Sequence, residues 1–205
     1  MRLARPTPTP STGPEPAERS ADAELVRLAQ RSPRAFEALY RRYLDAVLAY
    51  CFRRLADRAD AEDAASAVFL KALHGLPAFR DRDGSIRAWL FCIAHNEVAD
   101  RFKHRARHPE APLDRLRGSA SPERAPEDYA VVRDGHRRVL VLLRSLPPRE
   151  RAVLELRAAD LTTGEIAAVL GISDQNVRTA QCRAVARMRD LAMEAGLLDR
   201  GVRRG

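Results

Sequence analysis

Thr162-Thr163-Gly164-Glu165-Ile166-Ala167-Ala168-Val169-Leu170-Gly171-Ile172-Ser173-Asp174-Gln175-Asn176-Val177-Arg178-Thr179 is the stretch on which the reading of this chain turns. Thr162 and Glu165 have the spacing of a capping box, in which each side chain satisfies a backbone N–H at a helix start. Ile166, Ala167, Val169 and Leu170 then carry a short helix, Gly164–Leu170, as far as Gly171. Glycine enters the left-handed conformation that ends a helix without a Cβ clash. Ser173 caps a second helix that runs to about Ala195. Ala167 is small enough to let the two helices cross closely, and Ile166, Leu170, Ile172 and Val177 would fill the crossing. A short helix, a tight turn and a longer second helix make a helix-turn-helix. In that motif the N-terminal half of the second helix enters the major groove and can read base edges. The candidate reading residues are Ser173, Gln175, Asn176, Arg178, Thr179, Cys182, Arg183 and Arg187. From Gln175 to Arg189 there are four arginines and no acid. The plainer alternative is a helical hairpin with a solvated basic face.

Outward from this motif, Pro147-Pro148 breaks a helical stretch, Tyr129–Leu146, and Pro148 opens the next helix, Arg149–Ala159. Proline also marks the larger boundaries. Five of the thirteen prolines fall in residues 1–16 and four between 109 and 126. Both stretches lack apolar periodicity, which predicts a disordered tail over 1–20 and an acidic linker over 109–128. The folded parts are then 21–108 and 129–198, followed by a short tail, 199–205.

The first part reads as four helices. Asp22–Gln30 carries Leu25, Leu28 and Ala29 on one side. Ser32 and Pro33 suit the start of the second helix, whose stripe is Phe36, Leu39, Tyr40, Tyr43, Leu44, Val47, Leu48 and Cys51. The third starts at Asp60, Glu62 and Asp63, where carboxylates suit the positive end of the helix dipole, and continues to Gly75. A polar loop follows, Phe79-Arg80-Asp81-Arg82-Asp83-Gly84. Ser85 caps the fourth helix, with Ile86, Trp89, Leu90, Ile93, Val98 and Phe102 on its apolar face; running to Arg107, it is about 33 Å long. No run alternates with period two. The predicted fold is all-α: two small helical domains joined by a flexible linker.

The 205 residues carry a formal charge of +8, from 36 Lys+Arg against 28 Asp+Glu. Residues 101–108 and 175–189 each carry +4 without an acid, which points to a polyanionic partner gripped at two places. No apolar run of about 18 residues exists, so no membrane insertion is expected. No apolar stretch follows the N-terminal arginines, so no secretory signal is expected. Cys51, Cys92 and Cys182 lie far apart, which fits a reducing cytosol rather than a disulfide framework. Cys92-x-x-His95 and His104-x-x-x-His108 have zinc-like spacing, but a continuous helix holds His104 about 18 Å from Cys92. Neither metal nor cofactor is expected. The acids at 60–63 read as a helix start rather than a nuclease site, and no Gly-rich phosphate loop or nucleophile set is present. Trp89 is open to two readings, a core indole or a base-stacking platform.

Several segments together resemble the extracytoplasmic-function (ECF) sigma factors of bacterial RNA polymerase. Leu146-Pro147-Pro148-Arg149-Glu150-Arg151, Glu165-Ile166-Ala167, Leu170-Gly171-Ile172-Ser173 and Val177-Arg178-Thr179 look like their C-terminal DNA-binding region. Phe36-Glu37-Ala38-Leu39-Tyr40, Asp60-Ala61-Glu62-Asp63 with Phe69-Leu70-Lys71-Ala72, and Arg87-Ala88-Trp89-Leu90 with Ile93-Ala94 and Asn96 look like their first domain. The resemblance implies sigma region 2 over 21–108 and region 4 over 129–198. It implies core polymerase binding by Asp60, Glu62, Asp63, Ser66, Phe69, Leu70 and Lys71. It implies minus-ten recognition, melting and upstream phosphate contacts by Arg80, Arg82, Arg87, Asn96, Asp100, Arg101, Lys103 and Arg105, and minus-thirty-five recognition by the helix-turn-helix. It further implies a non-enzymatic cytoplasmic factor with an anti-sigma partner. The chain departs from the family pattern at Ser66-Ala67, where a Gln-Glu pair is common. It departs again at Ala180, where a basic residue is usual. Gln181, which stands where an aliphatic is usual, needs a hydrogen-bonding partner. Two rival readings are a one-component helix-turn-helix regulator, with 21–108 as a sensing module, and a recombinase-like enzyme acting on DNA.

Overall fold

The computed structural model describes residues 16–80, 85–107 and 138–197. The first half holds α1 (Pro16–Arg31), α2 (Pro33–Leu55), α3 (Arg58–Gly75), a single 3-10 turn (Leu76–Ala78) and α4 (Ile86–Arg107). The second holds α5 (helical residues 138–144), α6 (Pro148–Arg157), α7 (Thr163–Leu170) and α8 (Asp174–Glu194). No strand occurs among the described residues, and no helix among them is long and apolar enough to cross a membrane. The linker 109–128, the tail 199–205, Arg82, and the start of the helix expected from Tyr129 lie outside the described residues.

Helix starts differ from the sequence reading where a cap went unnoticed. α1 begins at Pro16 rather than Asp22, so residues 16–20 belong to a helix and not to the tail. Proline suits a first turn because its missing N–H would have no intrahelical partner there. α1 is tied to α2 through Asp22, which accepts from the Tyr43 hydroxyl at 2.6 Å and pairs with Arg42 at 2.6 Å. Burial of its ring and the bond to Asp22 push the Tyr43 hydroxyl up to about 12. α3 begins before the acidic cluster, because Asp57 caps it by accepting from the Asp60 N–H at 2.8 Å.

The core follows the helical stripes with local shifts. Phe36, Leu39, Tyr43, Val47 and Cys51 of α2 are buried, as is Tyr50, which lies outside the expected stripe. Tyr40 stays 37 % exposed and meets Phe69 edge-on, with ring centroids 4.7 Å apart. Phe102 leaves the expected apolar face. It is exposed, with the Arg54 guanidinium 5.8 Å from its ring centre. Gly75 makes room for Trp89: a Cβ there would sit 3.0 Å from the indole Cζ2.

One hydrophobic cluster runs through both halves, from Val26 and Leu39 to Leu156, Ile166 and Val177. The halves meet where α4 packs on α7 and α2 on α6. Polar contacts also cross that seam. Glu155, whose side chain is fully buried, accepts from Arg54 at 3.1 Å and from Arg151 at 2.7 Å. Arg151 also donates to the Arg53 carbonyl at 2.9 Å, and Arg53 donates to the Glu155 carbonyl at 3.3 Å. Ser85 donates to Glu165, and Arg87 donates to the Asp160 carbonyl at 3.0 Å.

Candidate nucleic-acid interface

The helix-turn-helix forms as its sequence dictates. Both bonds of the Thr162–Glu165 capping box are present, and Gly171 is left-handed with φ 62°. The Ser173 hydroxyl accepts from the Asn176 N–H at 3.3 Å and starts α8. Val177, Ala180 and Ala184 are buried, and Val177 and Ala180 join the cluster with Ile166 and Leu156. At 3.6 residues per turn, Gln175, Arg178, Cys182 and Arg183 fall on the opposite half of the helix, Asn176 lies at its edge, and Arg187 lies on the flank beside Ala180. All six are exposed, with Ser173 beside them, while Thr179 is half-buried and donates to the Gln175 carbonyl at 2.9 Å.

Two side chains on α8 are committed elsewhere. Gln181 accepts at 3.0 Å from Arg157, which also donates to the Leu161 carbonyl at 2.7 Å and to Thr163 at 3.0 Å. One guanidinium therefore supplies the partner that Gln181 required and fixes α8 to the turn ahead of α7. Burial lowers the Arg157 pKa, yet an arginine stays charged near neutral pH. Arg187 pairs with the buried Glu150 at 3.1 Å while its own side chain stays largely exposed, so α6 constrains its position.

The other candidate surface lies along α3, α4 and the turn between them. Phe79 is buried against Trp89, with ring centroids 5.2 Å apart, and Arg80 beside it is exposed. Trp89 is half-buried against Gly75 and Phe79, so its indole serves packing first. Asn96 and Asp100 are exposed on α4. Lys103 holds Asp100 at 3.0 Å, and that hydrogen bond lowers the Asp100 pKa. Arg87 is half-buried at the seam between the halves.

The cations of α4 are tied to α3 more closely than the sequence suggested. Glu97 accepts from Arg101 at 3.0 Å and from Lys71 at 2.5 Å, and Arg105 pairs with Asp60. Lys71 and Asp60, read as polymerase contacts, thus share an ionic seam with Arg101 and Arg105, read as phosphate contacts. Glu97 organises this seam and was missed, because a single acid in a basic helix carries no signal of its own. Glu62, Asp63, Ser66 and Leu70 are exposed along α3, Leu70 by 57 %. Phe69 is corrected: it is buried beneath Tyr40 in the core and cannot face a partner. Cys92 and His95 are also spoken for. Cys92 lies 3.9 Å from the Ala168 carbonyl, and His95 Nδ1 lies 3.0 Å from the Tyr50 hydroxyl. No group of three or more potential metal ligands gathers among the described residues.

Comparison with known proteins covers both halves. Residues 39–108 match Sigma-70 region 2, and residues 136–188 match Sigma-70, region 4. The ECF RNA polymerase sigma factor SigD of Mycobacterium tuberculosis (strain ATCC 25618 / H37Rv) is 35% identical over 155 residues, which is 73% of each chain. The ECF RNA polymerase sigma factor BldN of Streptomyces coelicolor is 33% identical over 175 residues, 83% of this chain and 66% of BldN. Among solved structures, that of CnrH in complex with the cytosolic domain of CnrY is similar over 85% of this chain and 98% of CnrH, with TM-score 0.65 and 29% identity.

Proposed function

The chain belongs to the extracytoplasmic-function sigma factors of RNA polymerase, and from that premise we propose that it binds core polymerase and directs initiation at a class of promoters. It acts as an initiation factor and carries out no catalysis of its own. Residues 21–108 serve as region 2 and 129–198 as region 4, joined by the linker 109–128. The α7–α8 motif recognises the minus-thirty-five element, with Gln175, Asn176, Arg178 and Arg183 aimed at base edges and phosphates. Arg80, Asn96 and the basic end of α4 take the minus-ten element and its upstream phosphates. The exposed edge of α3, from Glu62 and Asp63 through Ser66 to Leu70, meets polymerase. The protein works in the cytoplasm, and an anti-sigma partner restrains it; CnrH, solved with the cytosolic domain of CnrY, supports a protein partner of this kind.

The observation that carries this reading is the exposed polar row on α8 beside a second helical half of the matching family, in the matching order. A one-component regulator would need only the first of these. The test is purified protein added to core polymerase on a library of promoter DNA. New promoter-specific initiation is expected, and Arg178→Ala should cost about 1–3 kcal/mol of minus-thirty-five binding. No promoter-specific product, where a control sigma factor succeeds, would sink the reading.

A further inference from the structure

Gln30 lies on α1, ahead of the residues that match region 2. Its carboxamide nitrogen has two N–H groups, and both find carbonyls nearly fifty residues along the chain. Nε2 donates to Leu76 O at 3.0 Å and to Phe79 O at 2.8 Å. These acceptors bracket the 3-10 turn that follows α3. Leu76 O also accepts from the Phe79 N–H at 3.1 Å, and Phe79 O also accepts from Arg80 Nη1 at 2.9 Å. Each carbonyl therefore has both lone pairs engaged, and Gln30 supplies one donor to each. The turn it grips seats Phe79 on Trp89 of α4 and sets the direction in which the chain leaves at Arg80.

We propose that Gln30 is a positioning residue for minus-ten recognition, acting through the turn that holds Phe79 against Trp89 and presents Arg80. This rests on the assignment of Arg80 and α4 to the minus-ten element. Capturing an unstacked base requires a surface held within a fraction of an ångström, and that precision comes from groups behind the contact. Methionine at position 30 keeps the length of the side chain and removes both donors. Glutamate keeps the shape but sets a carboxylate against two carbonyl oxygens.

The test uses holoenzyme assembled from the full chain and core polymerase, on a promoter selected by the wild-type protein from random DNA. Binding of the holoenzyme to single-stranded minus-ten oligonucleotides, cognate and singly mismatched, is compared for wild type, Gln30→Met and Gln30→Glu. The cognate-to-mismatch ratio should fall about tenfold in both variants, within the range of one mismatched position. Affinity for core polymerase and for minus-thirty-five duplex should hold. An unchanged ratio in a folded variant overturns the proposal. So does an equal loss of core and minus-thirty-five binding, which marks a purely structural residue. Should Gln30→Met fail to fold, Gln30→Asn, which keeps the amide and cannot span both carbonyls, gives the same comparison. Failure of the wild type to select any promoter brings down the sigma-factor reading itself, and this assignment with it.

Discussion

His95 shows how one side chain ties burial to pH. Its Nδ1 lies 3.0 Å from the Tyr50 hydroxyl, whose ring is wholly buried edge-on to Phe91. Burial first, and the nearby Arg54 charge second, hold the His95 pKa below its ordinary 6.5. The native state therefore favours neutral imidazole, while the unfolded chain takes up a proton near 6.5. Stability from this group is complete above about pH 6.5 and is lost as pH falls below it, by at most about 1.4 kcal/mol per pH unit. Urea unfolding between pH 8 and 5.5 should show that decline, and His95→Gln should flatten it; a decline of equal slope in the variant would assign it to other groups. None of this was legible in the sequence, where Cys92-x-x-His95 suggested only a zinc spacing to be set aside. The partner of His95 sits forty-five residues away on another helix, and local patterns carry no such information. Gln181 differs. Its need for a partner was readable from its place on an inward face, but Arg157 as the answer was not.

At the scale of elements, two left-handed residues make a matched pair. Gly171 ends α7 with φ 62°, and Ala56 ends α2 with φ 61°. A Cβ at Gly171 would meet nothing within 4 Å, so Gly171→Ala introduces backbone strain without a clash. The strain of about 1–2 kcal/mol, less the freedom that alanine removes from the unfolded chain, leaves a net cost of up to about 1 kcal/mol. Ala56 already bears that strain, so Ala56→Gly should be neutral or stabilising by up to about 1 kcal/mol once the added freedom of the unfolded chain is counted. Thermal unfolding of the two variants should move in opposite directions or leave Ala56→Gly unmoved; destabilisation of both by similar amounts would rule out the argument. Gly171, Ser173 and the capping box were visible because caps are written in adjacent residues. The αL turn at Ala56 was hidden because alanine signals helix continuation. The start of α1 was hidden because Pro16 resembled the proline-rich residues before it in composition.

The whole molecule poses a problem of reach. Minus-ten and minus-thirty-five elements lie about 25 base pairs apart, or about 85 Å at 3.4 Å per pair. α4 packs on α7 and α7 on α8, and two helix-packing distances of 8–10 Å put α8 within about 20 Å of α4. The halves must separate for one chain to engage both elements, so the seam between them opposes promoter binding. Glu155 is its centre, held by Arg54 from α2 and Arg151 from α6. In the closed form its carboxylate is fully buried and depends on both arginines. On opening it meets water, and Arg151 remains beside it four residues away on the same helix. Glu155→Gln therefore weakens the closed form far more than the open one, because the guanidinium groups lose their counter-charge only where burial makes that costly. When the competent form is a minor population, apparent affinity is lowered by that fraction. The variant should engage DNA carrying both promoter elements about 3- to 10-fold more tightly and, free in solution, show a larger radius of gyration by small-angle scattering. An unchanged radius with unchanged affinity would mean that the apolar contact between α4 and α7, rather than the ion pairs, holds the halves together.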